Sequence, residues 1–211
     1  MIFDIKQKKD KFIEDAYNKS MKELDEFFDL GWIKNTPFIF VVLDRETINK
    51  LYREKTEDGV VAWAQSSSRI VYILDRKNLE KESNHKYSKE EYLARIKHEL
   101  AHMFVFAYSK LFLIRPCWLE EGIAIYLSGQ NKFKKSPKKF EFFLESYDKR
   151  EKEVYNESGF FIELLIKKFG KDKLLTLIKS LKEIKSEEEF NNLFNKIYGF
   201  ELNYQEVNKI K

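Results

Sequence analysis

Two of the three histidines in the chain lie four positions apart in "HELAH", as His98 and His102, with Glu99 beside the first. Residues four apart on an α-helix share one face, so both imidazoles can point at one spot. Two imidazole nitrogens at about 2 Å suit a zinc ion. Glu99 is turned by about 100° around the helix, which makes it a poor third ligand but lets it reach a metal-bound water. The spacing predicts a metal site with Glu99 as its general base.

A catalytic zinc ion takes a third protein ligand, and the segment "PCWLEEGIAIY" offers two candidates. Glu120 and Glu121 are neighbours on a predicted helix, so they point in different directions and only one can contact the metal. The residues by themselves leave the choice open.

The alternative for "HELAH" is an exposed helix on which these residues merely decorate a polar face. Apolar residues flank the motif on both sides, as "YLARI" and "MFVFAY", and favour burial. A buried imidazole or carboxylate needs a partner such as a metal ion. The metal site is therefore the better prediction.

The helix that must carry the motif is predicted to begin at Ser88, which forms a capping-box signal with Glu91. Its apolar positions recur at helical spacing and are Tyr92, Ile96, Leu100 and Phe104.

The first eighty residues are predicted to form an α/β lobe. Helical periodicity over the first thirty residues, ending near Gly31, predicts an amphipathic helix. Strand-like runs occupy 37–43, 59–65 and 69–75, with a helix over 45–55. Three serines separate the last two runs, which predicts adjacent antiparallel strands.

Residues 81–211 are predicted to form a mainly helical lobe, with helices at "WLEEGIAIYLSG", "PKKFEFFLESYDKR", "SGFFIELLIKKFG", "KDKLLTLIKSLKEI" and "SEEEFNNLFNKIYG". Because no repeat or Pro/Gly-rich linker divides the chain, we expect one domain over 1–211. The predicted class is α+β, with a small N-terminal mixed sheet packed on the helical lobe and an active-site cleft between them.

The composition gives no reason to expect a nucleic-acid binder. Lys and Arg total 39 against 35 Asp and Glu, and the charges of both signs are spread along the chain. The longest basic cluster, "KFKKSPKK" at 132–139, is more typical of a solvated, mobile connection than of a binding site. The charge-rich N-terminus predicts neither a signal peptide nor a membrane span, so we expect a cytoplasmic protein. Oligomeric state stays open.

The two motifs together resemble the gluzincin zinc metallopeptidases of the peptidase MA-like group, in which HExxH is followed by WLxEG. Here the segments are "HELAH" and "WLEEG", and eighteen residues (103–120) separate His102 from Glu121. The aminopeptidase branch of the gluzincins has the same interval. The resemblance covers about 88–200, strongly at the two motifs and loosely after them.

This resemblance implies a thermolysin-like catalytic domain that holds one Zn²⁺ per chain on His98, His102 and Glu121, with Glu99 as the base. It further implies that Tyr155, in "YNESGFFIELL", donates a hydrogen bond to the oxyanion. The implied activity is hydrolysis of peptide bonds in a peptide or protein substrate. Such a substrate strand would add to an exposed sheet edge, either "VVAWAQ" or "RIVYIL".

The chain also departs from related patterns. The thermolysin-type pattern has an aspartate four residues after the glutamate ligand, but position 125 is isoleucine, so a backbone carbonyl is left to orient a histidine. The aminopeptidases contain a signature that binds the free amino terminus of the substrate. Residues 59–75 contain no counterpart of this signature, which favours an endopeptidase.

Three rival functions remain open. One is a catalytically inactive gluzincin-like protein that serves as a peptide-binding module. A second is a latent enzyme whose cleft is filled by a partner or by its own C-terminal "ELNYQEVNKIK", which is long enough to do so. Another is a structural zinc site, which normally needs four protein ligands. Tyr126 is the alternative to Tyr155 as the hydrogen-bond donor to the oxyanion. His85 is expected in a surface loop, and Cys117 is expected to be a small buried apolar residue.

Overall fold

The computed structural model describes residues 5–32, 37–149 and 153–211. These residues form an α+β fold, as the sequence predicted, and the described elements are nine α-helices and one three-stranded sheet. The helices are α1 (Lys11–Phe28), α2 (Arg45–Tyr52), α3 (Leu79–Glu82), α4 (Lys89–Ser109), α5 (Cys117–Ser128), α6 (Val154–Phe169), α7 (Lys171–Ser180), α8 (Glu187–Tyr198) and α9 (Tyr204–Lys209). The strands are β1 (Phe38–Val42), β2 (Ala62–Gln65) and β3 (Ile70–Leu74).

The sheet has the strand order β1-β3-β2. Strand β1 runs parallel to β3, whereas β2 runs antiparallel to it, which confirms the mixed sheet and the pairing predicted for the two runs around the serines. Because β3 lies in the centre, the prediction that "RIVYIL" offers an edge is wrong, and of the two runs only β2 is an edge strand.

Helix α4 is anchored at its start and buried on both sides. The Ser88 side chain accepts a hydrogen bond from the Glu91 backbone N–H, as the capping signal predicted. The Tyr92 hydroxyl donates to the Leu74 carbonyl at 2.9 Å and ties the first turn to the end of β3. On another face, Phe104 stacks on Phe28 of α1. The "HELAH" segment therefore lies inside the protein rather than on an exposed face.

Helices α5 and α6 cross at very short range. A Cβ atom on Gly122 would lie 2.8 Å from the Ser158 carbonyl oxygen, and one on Gly159 would lie 2.3 Å from Ile125 Cγ2. The glycine that follows the two glutamates thus lets α6 approach the backbone of α5.

The helix predicted over 137–150 is wrong. Within the described part of that segment, only a 3₁₀ turn at Phe143–Glu145 is helical. Its backbone groups bond to other elements: Glu157 of α6 accepts the N–H groups of residues 141–143, and the carbonyls of residues 146 and 147 accept the first N–H groups of α5. The apolar spacing that predicted a helix instead buries Phe140 and Phe143.

No helix in the described ranges combines the length and the apolar character that crossing a lipid bilayer requires.

Candidate metal centre

Helices α4 and α5 bring three predicted ligands together. His98 Nε2 lies 3.1 Å from His102 Nε2 and 3.3 Å from Glu121 Oε2, and His102 Nε2 lies 3.8 Å from the same oxygen. All three side chains are buried. They form a group that could hold a metal ion, with ligand atoms within 4.8 Å of one another.

The spacing of these atoms suits a single tetrahedral ion. Ligand atoms bonded to one zinc at about 2.0–2.1 Å stand about 3.3 Å from each other. The two distances from His98 Nε2, 3.1 and 3.3 Å, are close to this value, and the third, 3.8 Å, needs only a small movement of Glu121. Among the described residues the group has three members, which leaves one tetrahedral position for a water molecule or a substrate.

The carboxylate of Glu120 lies beside the far ring nitrogen of one of the histidines. Its Oε1 lies 2.9 Å from His102 Nδ1, on the side of the ring opposite the ligand group. A carboxylate in this position fixes the ring and directs the lone pair of Nε2 towards the metal. The sequence predicted a backbone carbonyl in this role, but the structure places the Glu120 carboxylate there. The two adjacent glutamates in "WLEEG" are the signal in the sequence that could have identified it.

The buried carboxylates keep His102 protonated when no metal is bound. Burial alone would lower the pKa of His102, but Glu121 and Glu120 outweigh it and raise the pKa to about 9. The site thus has the negative potential that attracts a cation.

Glu99 lies on α4 beside the ligand group, with 8% of its surface exposed. Its carboxylate is close enough to act electrostatically on both His102 and Arg95. Glu99 is thus a buried carboxylate next to the first candidate ligand in the chain, and its role as general base stays a prediction.

His85 is not the simple surface residue that the sequence predicted. Its Nε2 lies 3.0 Å from the Gly59 carbonyl oxygen, and its Nδ1 lies 3.0 Å from Nη2 of Arg95. It therefore connects the loop before β2 to α4, one turn before the metal ligands. Nothing in the local sequence around His85 signals this contact, because both partners lie at least ten residues away.

Tyr155 lies in the first turn of α6, and 37% of its surface is exposed. Its backbone carbonyl accepts a hydrogen bond of 2.6 Å from Nζ of Lys134. The charged groups that act on its rival, Tyr126, are Glu163 and Lys167 rather than the metal-ligand candidates.

Cys117 is buried at the start of α5, as expected of a small apolar residue. Its Sγ lies 3.5 Å from the Arg115 guanidinium.

Comparison with protein-family models, with curated proteins and with solved structures found no match to this chain. The arrangement of side chains therefore carries the functional argument alone.

Proposed function

We propose that this protein is a zinc-dependent peptidase of the gluzincin type with a thermolysin-like active site. The observation that carries the proposal is the convergence of His98, His102 and Glu121, all buried, with Glu99 next to the first ligand in the chain. Three protein ligands and an adjacent carboxylate are the components of a catalytic rather than a structural zinc site.

A bound zinc ion would supply Lewis acidity, which makes water more acidic and polarises a peptide carbonyl. In the proposed reaction, Glu99 takes a proton from the attacking water and passes it to the nitrogen of the breaking C–N bond. Water is consumed, and a carboxylic acid and an amine are released. Glu120 holds His102 in place throughout, because it contacts the ring nitrogen that faces away from the ligand group.

Strand β2 is the best candidate for the surface that binds the substrate backbone. It is the edge of the sheet next to α4. An extended peptide added to this edge gains main-chain hydrogen bonds that depend little on its sequence. This geometry favours an endopeptidase.

Tyr155 is proposed to donate a hydrogen bond to the oxyanion of the tetrahedral intermediate. The contact between Lys134 and its backbone holds the first turn of α6 in place. Tyr155→Phe should lower kcat by roughly a hundredfold while zinc stays bound, because one oxyanion donor is worth about that much. An unchanged rate would remove Tyr155 from this role.

The function is tested by incubating zinc-loaded protein with a diverse peptide library and reading the products by mass spectrometry. Glu99→Gln is the matched variant, because it keeps the ligands and the size of the side chain but removes the base. We expect cuts at internal bonds by the wild type only. Equal cutting by both proteins would refute the role of Glu99, and binding of peptides without cutting by the wild type would favour a peptide-binding module.

A further inference from the structure

The loop between α4 and α5 carries two adjacent apolar side chains on its outside. This loop comprises residues 110–116, in which Phe112 is 78% exposed and Leu113 is 61% exposed. Phe112 is the most exposed large apolar residue in the described ranges. Single exposed apolar residues are ordinary on a protein surface, whereas neighbouring ones form a patch that needs a reason. Phe112 and Leu113 are called the apolar tip below.

The loop is held firmly on the side that follows the apolar tip. Ile114 is fully buried. The Arg115 guanidinium donates to Asp148 Oδ1 at 3.0 Å, and the Cys117 N–H donates to the Tyr147 carbonyl at 2.8 Å. These contacts attach the loop to residues 147–148. The apolar tip therefore projects from a fixed base.

Basic residues outnumber acidic ones on the loop and on the segment that contacts it. Lys110 directly precedes Leu111 and the apolar tip, and its side chain is exposed. Asp148 is the acidic residue of this set, and it is paired with Arg115. Lys149 follows Asp148 and is exposed as well. Because the acid is already paired, the two lysines give this surface a net positive charge.

A projecting apolar pair between basic residues fits an anionic lipid surface. Apolar side chains gain by insertion at the boundary between headgroups and acyl chains, and lysines gain by contact with anionic headgroups. A second copy of the chain fits less well, because a two-fold contact at the tip would bring the same basic set together from both sides.

We propose that the loop docks this protein on the surface of an anionic phospholipid membrane. Phe112 and Leu113 insert into the interface, while Lys110 and Lys149 contact the phosphate and carboxylate groups of the lipids. Docking of this kind needs no membrane-spanning helix. It is independent of the proposed peptidase activity, because it depends on no metal ligand.

The loop also determines where the candidate metal centre would lie. Residues 110–116 join α4, which carries His98 and His102, to α5, which carries Glu121. Lys110 follows His102 by eight residues, which corresponds to about 12 Å along a helix. A protein docked through this loop would thus hold the metal-ligand group close to the lipid surface.

Vesicle flotation tests the proposal on the zinc-loaded full chain. One set of vesicles contains phosphatidylcholine alone, and the other contains an equal mixture of phosphatidylcholine and phosphatidylserine. We expect binding to the mixed vesicles that is at least about tenfold stronger than binding to the neutral ones, because each lysine near an anionic surface contributes about fivefold. Failure to bind the mixed vesicles, or equal binding to both sets, would overturn the proposal.

Variants of the apolar tip locate the contact. The double variant Phe112→Ser, Leu113→Ser should bind the mixed vesicles at least about tenfold more weakly, because it removes the inserted side chains. Phe38→Ser is the matched control, since Phe38 is 66% exposed on β1 and should not matter. Unchanged binding by the double variant, or an equal loss in Phe38→Ser, would overturn the assignment of the tip. If the double variant fails to fold by circular dichroism, Phe112→Ser alone replaces it.

Variants of the lysines test the charge contribution. Lys110→Gln and Lys149→Gln should each weaken binding to the mixed vesicles by about fivefold. Lys55→Gln, at an exposed lysine after α2, is the control and should leave binding unchanged. Equal effects at all three positions would mean that net charge alone drives binding, which would overturn the docking surface.

Sedimentation velocity separates lipid docking from self-association. We expect the wild type and the double variant of the tip to have the same oligomeric state in the absence of vesicles. A wild-type oligomer that the double variant does not form, together with no binding to vesicles, would identify the tip as a contact between copies and overturn the proposal.

Discussion

At the scale of single residues, the site depends on how carboxylates are arranged around two imidazoles. Glu121 faces the Nε2 atoms of both histidines, and Glu120 contacts the far nitrogen of His102. The two adjacent acids on α5 therefore face different ring nitrogens of His102. Among the described residues, the carboxylate paired with His98 is that of Glu121, on the Nε2 side of the ring.

This difference makes Glu120 a sensitive test of the site. Glu120→Gln removes the charge that orients His102, so zinc affinity should fall by about 10- to 100-fold. Affinity is measured by competition with a chromophoric chelator. Glu145→Gln, an exposed glutamate outside the group, is the control and should leave the affinity unchanged. An unchanged affinity in Glu120→Gln would show that the contact does not position the ligand.

Metal affinity should also depend on pH. Without metal, His102 has a pKa of about 9, whereas a metal ligand must be unprotonated, so binding at neutral pH releases a proton. Apparent affinity should rise by up to about tenfold per pH unit and level off as pH passes the pKa of the metal-free state. By the same linkage, the protonated His102 stabilises the metal-free fold. This stabilisation is fully present below pH 6.5, the ordinary pKa of histidine, and is lost as the pH rises towards 9. A chelator titration between pH 6.5 and 9.5 checks the first effect, and a flat profile would contradict it.

At the scale of the elements, the crossing of α5 and α6 fixes the position of the glutamates. Gly122 follows Glu121 directly, and its missing side chain lets the backbone of α6 come close. Any residue with a Cβ at this position must push the two helices apart. The metal-ligand group thus depends on helix packing as well as on its own side chains.

Gly122→Ala should destabilise the protein by about 1–3 kcal/mol, the usual cost of overpacking a close contact. Urea denaturation followed by circular dichroism measures this change in the free energy of unfolding. Gly59→Ala is the matched control, because a Cβ there would meet no atom closer than 3.9 Å. A loss of stability no larger in Gly122→Ala than in Gly59→Ala would mean that the helices adjust freely.

Local signals in the sequence predicted the elements well where partners lie close in the chain. The Ser88 and Ser186 caps and the Gly170 end of α6 all depend on contacts within one turn. The segment after Pro137 was missed because its partners belong to α5, α6 and α9. The placement of Lys134 was missed because its partner, the Tyr155 carbonyl, belongs to α6. Spacing along the chain carries no information about such distant contacts.

At the scale of the whole molecule, the described contacts of the C-terminal tail (residues 201–211) join it to residues 140–144 rather than to the metal-ligand group. The Asn208 side chain accepts the Phe140 N–H and donates to the Phe140 carbonyl, at 2.8 and 2.9 Å. Val207 is buried, and the Tyr204 hydroxyl accepts the N–H of Leu144. The tail thereby secures the segment that caps the start of α5.

Asn208→Ala should therefore lower the free energy of unfolding by about 1–3 kcal/mol, because it leaves backbone groups of Phe140 unsatisfied. Thermal and urea denaturation measure the change, and exposed Gln205→Ala is the control. Peptide turnover should not rise in Asn208→Ala. A clear rise in turnover would instead support a tail that holds the enzyme latent.

The most direct test of the proposed metal centre is the zinc content of the protein after loading and exhaustive dialysis, measured by plasma mass spectrometry on wild type and His98→Ala. We expect one zinc ion per chain in the wild type and a large loss of zinc in His98→Ala, with both proteins folded by circular dichroism. A folded wild type that retains no zinc, or a His98→Ala protein that retains as much as the wild type, would contradict the metal centre on which the proposed function depends.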